Sequence, residues 1–329
     1  MNETNLNKFL HDAGWADAHV HPITPDSSAR RYVRVIRPTG ARAVVMIAPV
    51  TTKADQGALT AFIKVTAHLR DLGLSAPRNL AQDLPQGFVM VEDFGTKSLA
   101  FLLENAPDTA RLAYEQAWFV TRHLAHGPRP EWATCPNVND QAGMVGITFD
   151  LLSHSDDLRT ELIAQLARAL HCCASGPPAL SLRDYHADNL MWLPTRAGIS
   201  RIGLLDFQDA LMLPKGYDLA SLVDDPRWVV PAAWRQDLIA DFATTMRTSI
   251  AQANARINTL SLLRNLRIIG IFHRLASSYG RPAYRRFLPR TFDLVDRASR
   301  DPALTTLRAP VRALLTRVAP WAAEVEAGA

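Results

Sequence analysis

The sequence predicts an α+β chain of two lobes, a small antiparallel β-rich N-lobe over residues 1–93 and a larger helical C-lobe over residues 94–329. Three observations carry this expectation. Short alternating or continuously apolar runs cluster before residue 93, helical periodicity dominates after it, and Glu92-Asp93-Phe94-Gly95 reads as a hinge between the two regimes. The chain has 329 residues, 48% of them hydrophobic and 21% charged, which gives room for two lobes and an ordinary globular composition.

The elements follow in order. Residues 6–13 form a short amphipathic helix leading into the first strand. Tyr32-Val33-Arg34-Val35-Ile36 alternates as a half-buried strand does, residues 43–48 make a continuous apolar run, and Phe88-Val89-Met90-Val91 is another strand. Between them Leu59, Phe62, Ile63, Val65, Leu69 and Leu72 recur at helical spacing, and Gly73 supplies the C-terminal stop. Beyond the hinge, helices are expected over residues 108–126, 157–171, 231–252 and 258–278, with more to residue 318. Two short strands, at 190–193 and 202–205, interrupt them and are joined through a turn at Arg196-Ala197-Gly198.

Composition narrows the function. Cys135, Cys172 and Cys173 form neither a disulfide framework nor a zinc pair. The apolar runs are far shorter than the roughly 20 residues of a membrane span, and the first residues lack the pattern of a signal peptide. A cytoplasmic protein without a membrane partner is expected. Five of the 36 basic residues are lysines, and the arginines are scattered without interleaved aromatics. That is no nucleic-acid footprint, so no nucleic-acid partner is expected. An anionic small molecule explains the net charge of +4 more simply. No P-loop or GxSxG element occurs, and His19 with His21 reads as two surface histidines on a strand.

The chemistry concentrates in Leu182-Arg183-Asp184-Tyr185-His186-Ala187-Asp188-Asn189 and in Leu204-Leu205-Asp206-Phe207-Gln208-Asp209-Ala210. Phosphoryl transfer needs a carboxylate for the acceptor hydroxyl, hard oxygens for Mg²⁺, and cationic or N–H donors for the charge on the transferring group. An Asp, an Asn five positions later at the mouth of a strand, and an Asp ending the next strand supply the first two. Each Asp alone would be an ordinary turn or cap residue. The ordered set is what makes the pattern specific.

These segments, with Tyr217-Asp218-Leu219-Ala220, resemble the catalytic and metal-binding motifs of the aminoglycoside phosphotransferase superfamily, whose fold is protein-kinase-like. Leu182-Arg183 stands where that family has His-Gly. The resemblance implies ATP and Mg²⁺ as cofactors, Asp184 as catalytic base, and Asn189 and Asp206 as metal ligands. It further implies Asp218 as a buried carboxylate bracing the loop, with Asp209 helping to organise the metal site and His186 stacking or hydrogen-bonding beneath the loop. Within the superfamily, the Arg183–Asn189 and Leu204–Ala210 segments are similar to bacterial cell-wall-recycling kinases that phosphorylate N-acetylmuramate and N-acetylglucosamine at the anomeric hydroxyl. So are residues 264–275 and 279–290; residues 127–156 match least. A small-molecule sugar substrate follows. Residues 221–329 hold 16 Arg, no Lys and nine Asp or Glu, a net +7. Such a field disfavours a polycationic antibiotic and suits a neutral or carboxylate-bearing sugar.

The nucleotide side is less regular. Pro25-Asp26-Ser27-Ser28-Ala29-Arg30-Arg31 stands where a phosphate-covering hairpin belongs, but has no glycine. Ser27 and Ser28 would reach phosphate through hydroxyls and N–H groups, or form a plain surface turn. The strand at 43–48 lacks the lysine that pairs with phosphates in many kinases, and Arg31, Lys53 or Lys64 are its candidate substitutes. Glu92, Asp93 and Phe94 are expected to present backbone groups to adenine. Two alternatives stay open: another hydroxyl kinase of the superfamily, aminoglycoside-directed or not, and an inactive kinase-like module that binds a nucleotide or a protein partner.

Overall fold

The computed structural model describes residues 3–23, 30–153 and 156–323. In chain order, α1 (Glu3–Asp12) precedes β1 (His19–Ile23), β2 (Arg31–Ile36), β3 (Arg42–Ile47), α2 (Lys53–Asp71), β4 (Asn79–Asp83) and β5 (Phe88–Glu92). Then come α3 (Leu99–Asn105), α4 (Pro107–His126), α5 (Val138–Gly143), α6 (Gly146–Phe149) and α7 (Asp156–Cys173). Four short strands follow, β6 (Ala179–Ser181), β7 (Leu190–Trp192), β8 (Ile202–Leu204) and β9 (Leu211–Leu213). The chain ends in α8 (Tyr217–Val223), α9 (Ala232–Met246), α10 (Ile250–Ser278), α11 (Leu288–Ser299), α12 (Arg308–Val318) and α13 (Pro320–Ala323). Among the described residues no helix is long and apolar enough to cross a membrane.

Two compact units result, Met1–Gln116 with Asp188–Asp209, and Ala117–Ala187 with Ala210–Ala329. In the first, β1 to β5 form an antiparallel sheet in the order β1-β2-β3-β5-β4. Period-two alternation puts Val33, Val35, Ala43, Val45, Ile47 and Met90 on the face covered by Phe9 and Leu10 of α1, where Phe9 stacks on Phe88 at 5.1 Å. Met46 and Val89 are buried as well, which accounts for the unbroken apolar runs of β3 and β5. The edge strand β4 was not expected. Asn-Leu-Ala-Gln-Asp carries no β-branched residue, and it is a strand because β5 offers it a free edge.

The expected boundary at residues 93 and 94 falls inside the first unit. The β7–β8 hairpin belongs there because its backbone is tied to earlier segments. Leu204 donates to the Ser75 carbonyl at 2.8 Å, and Trp192 to the Lys97 carbonyl at 2.7 Å. Ser75 Oγ donates to the Ser200 carbonyl at 2.6 Å.

The second unit is built around α10, whose buried face runs from Ala253 to Ala276. The single helix expected over residues 231–252 is two. Arg247 turns left-handed, with φ of 52°, after α9. Ser249 then caps α10 in a reciprocal capping box with Gln252.

Candidate active site

Asp184 follows β6, which pairs with β9. Its N–H donates to the Leu182 carbonyl at 2.8 Å, closing a three-residue turn around Arg183, whose φ is 67°. A non-glycine residue in that conformation costs on the order of 1–3 kcal/mol, so its surroundings must impose it. Asp218, in the first turn of α8, does so. Its carboxylate accepts from Ser181 Oγ at 2.6 Å, Leu182 N at 2.8 Å and Arg183 N at 3.0 Å. Ser221, one turn along, donates its hydroxyl to the Arg183 carbonyl at 3.2 Å. Gly216 starts that helix with φ of 101°, where a Cβ would come within 3.0 Å of Ile257. On the other side of Asp184, the buried Tyr185 hydroxyl donates to the Ala117 carbonyl at 2.8 Å. Asp184 itself is half-buried, held between two fixed neighbours.

Burial pushes the Asp218 carboxyl up to about 6, against the pull of its three hydrogen bonds, and the charge of Asp184 adds to the rise. His186 is buried and within electrostatic reach of Asp225.

Asn189 and Asp206 belong to the first unit. Leu190 pairs with Leu204, and Leu205 N donates to the Asn189 carbonyl at 2.9 Å. The two residues therefore leave the same end of the β7–β8 hairpin. Asp206 is exposed, with φ of 55°, and accepts from Gln208 Nε2 at 2.8 Å. Phe207 anchors the turn by stacking on Phe62 of α2 at 5.4 Å. Asn189 is half-buried and Asp209 exposed. Asn189 and Asp206 offer hard oxygens from the same end of the hairpin, the ligand type that suits a cation such as Mg²⁺ that keeps several waters.

The nucleotide candidates divide. Ser27 and Ser28 lie outside the described residues. Arg31 opens β2, Lys53 opens α2 beside its Thr52 cap, and Lys64 lies on α2; all three are exposed. Glu92 accepts from Arg196 Nη2 at 2.6 Å and stands 3.5 Å from Arg78 Nε. Asp93 is gripped bidentately by Arg34 through Nε at 2.6 Å and Nη2 at 3.0 Å. Both carboxylates are engaged within the unit, and Glu92 N already donates to the Arg78 carbonyl. Phe94 covers Gly203 so closely that a Cβ there would stand 2.6 Å from the ring, and the Arg196 guanidinium lies 5.1 Å from the ring centroid. The sequence does not mark Arg34 and Arg196, because nothing in an alternating strand or a turn reveals carboxylates 59 and 104 residues away.

Residues 19–252 match the phosphotransferase enzyme family, and the chain belongs to that family. More narrowly, it is 30% identical to the N-acetylmuramate/N-acetylglucosamine kinase of Caulobacter vibrioides, over 92% of this chain and 93% of that protein. The enzyme of the same name from Pseudomonas aeruginosa is 29% identical over 89% of each. A choline/ethanolamine kinase family protein from Mesorhizobium loti superposes with a TM-score of 0.63 at 14% identity, over 94% of this chain and 99% of that one. Aminoglycoside 2'-phosphotransferase-IIIa in its GDP complex gives 0.63 at 13% identity, over 91% and 98%. These structures share the kinase-like α+β fold expected from the sequence.

Proposed function

We propose that the protein transfers the terminal phosphoryl group of ATP to a hydroxyl of an amino sugar, N-acetylmuramate or N-acetylglucosamine, in the cytoplasm. The relatives matched over nearly their whole length bear that activity in their names. The single observation in the structure that carries the reading is the strained turn that fixes Asp184. A left-handed arginine locked by a buried carboxylate holds one side chain in a defined place, as a general base requires.

In this reading Asp184 takes the proton of the acceptor hydroxyl, and Asp218 acts through it as a positioning residue. Asn189 and Asp206 are the residues that would hold Mg²⁺, which supplies charge neutralisation on the phosphates when bound. Asp209, three residues after Asp206, is assigned to organising the metal site, and the buried His186 to supporting the loop. Ser27, Ser28, Arg31 and Lys53 are assigned to the phosphates, and the backbone of Glu92, Asp93 and Phe94 to adenine. In this reading the first unit, Met1–Gln116 with Asp188–Asp209, carries the nucleotide and metal residues, and the second carries Asp184 and the acceptor site.

Coupled ADP release on a sugar panel tests the reading. Turnover is expected with either amino sugar, and Asp184→Ala should lower kcat by about 10²–10⁴ with an unchanged melting temperature. Turnover with aminoglycosides alone would replace the acceptor, and nucleotide binding without turnover would make the protein an inert module.

A further inference from the structure

Helix α10 carries Arg264 and Arg267 one turn apart, so both side chains leave the same face. Arg264 is 2% exposed. It donates from Nη2 to Asp225 at 2.7 Å, while its Nη1 is buried with no hydrogen-bond partner. Asp225 has little left to give, because Arg227 holds it through Nε at 2.8 Å and Nη2 at 2.7 Å. Arg267 is half-buried, and no ion pair or hydrogen bond engages it among the described residues. Its electrostatic neighbours are Arg183, Tyr217, Asp184 and Arg264, and burial pulls its guanidinium pKa down. A guanidinium stays protonated regardless.

Arg183, Arg264 and Arg267 are all electrostatic neighbours of Tyr217, as is Asp184, while Asp225 is shared by Arg227 and Arg264. A partly desolvated cation with unspent donors is costly unless an anion completes it. Arg227 and Arg264 have a hydrogen-bonded anion in Asp225, whereas Arg267 has Asp184 only as an electrostatic neighbour and no hydrogen-bonded carboxylate among the described residues.

We propose that Arg267, backed by Arg264, is the specificity residue that receives a carboxylate on the acceptor sugar. The inference rests on the sugar-kinase reading and deepens it, because a planar fork beside the catalytic base distinguishes a carboxylate-bearing amino sugar from its neutral counterpart. The neutral sugar leaves Arg267 solvated and reaches Asp184 all the same.

The test compares N-acetylmuramate with N-acetylglucosamine, which lacks the carboxylate, in the wild type, Arg267→Gln and Arg267→Lys. Arg267→Gln should lower kcat/KM for N-acetylmuramate by about 30-fold or more, chiefly through KM, and for N-acetylglucosamine by less than about threefold. Arg267→Lys keeps the charge without the fork and should fall between. Melting temperatures of all three proteins control for folding. An equal loss on both sugars, or no loss on either, overturns the assignment while leaving the kinase reading intact. A wild type that turns over neither sugar overturns the kinase reading, and this inference with it.

Discussion

Asp218 links ionisation to geometry at the level of a single carboxyl. With its pKa raised to about 6, it is ionised at neutral pH, where both oxygens accept hydrogen bonds from the Ser181–Arg183 segment. Protonation turns one oxygen into a donor, removes an acceptor from the strained turn, and lets Arg183 relax. Turnover should accordingly fall as the pH drops through about 6. Asp218→Asn should abolish that limb and hold kcat low at every pH, a pattern read directly from pH–rate profiles. A limb that survives in Asp218→Asn would assign it elsewhere. The fold itself responds in the opposite sense. A carboxyl whose folded pKa lies above its unfolded value of roughly 3.9 contributes most below that value, and its contribution is lost as the pH rises through about 6. Lost activity near pH 5 is thus expected without lost structure. In the sequence, Asp218 was legible as a bracing carboxylate through Tyr217-Asp218-Leu219-Ala220. The left-handed backbone at Arg183 was not, because arginine has no preference for it and the cause lies 35 residues away.

Helix α10 shows how one element positions others. At Gly270 a Cβ would stand 2.7 Å from the backbone N and Cα of Thr148 in α6. Thr148 uses that closeness, donating its hydroxyl to the Leu266 carbonyl at 2.5 Å and accepting from Gly270 N at 3.0 Å. Gly270→Ala must push α6 off α10 and should cost about 1–3 kcal/mol, measurable as a lower urea midpoint at unchanged slope. The helical periodicity of residues 258–278 was plain in the sequence, whereas the need for glycine at one position was not. That need arises from a crossing with α6, in the stretch where the family resemblance is thinnest. The break between α9 and α10 went unread for a related reason. Residues 231–252 keep a helical pattern through Arg247, and only the Ser249 and Gln252 capping box, closed in three dimensions, shows where one helix stops and the next begins.

At the scale of the whole molecule, the long-range buried charges decide how the second unit holds together. Asp224, at the end of α8, accepts from Arg235 of α9 at 2.9 and 3.1 Å and from Arg297 of α11 at 2.5 Å, and its own carbonyl accepts from Asn265 of α10. Burial pushes both Asp224 and Asp225 up, yet their arginines outweigh it and hold both carboxyls below the usual carboxylate range. Replacing the buried carboxylate leaves the partly buried Arg235 and the exposed Arg297 without their anion, so Asp224→Asn should lose about 1–3 kcal/mol, seen as a lower melting temperature. For these depressed groups the stability is present above the unfolded pKa of roughly 3.9 and lost as the pH falls through their folded values. Acid unfolding therefore belongs below about pH 4, well under the acid limb of activity. The sequence alone determined the class of fold, the two strand-terminal clusters with Asp184, Asn189 and Asp206, and the family. Those features rest on local periodicity and on residues close together in the chain. The tertiary structure alone decided that the buried Arg264 is paired with Asp225 and that the half-buried Arg267 has no such partner among the described residues. A guanidinium looks the same in a sequence whether its carboxylate is absent or stands on a distant helix, and only folding brings the two within reach.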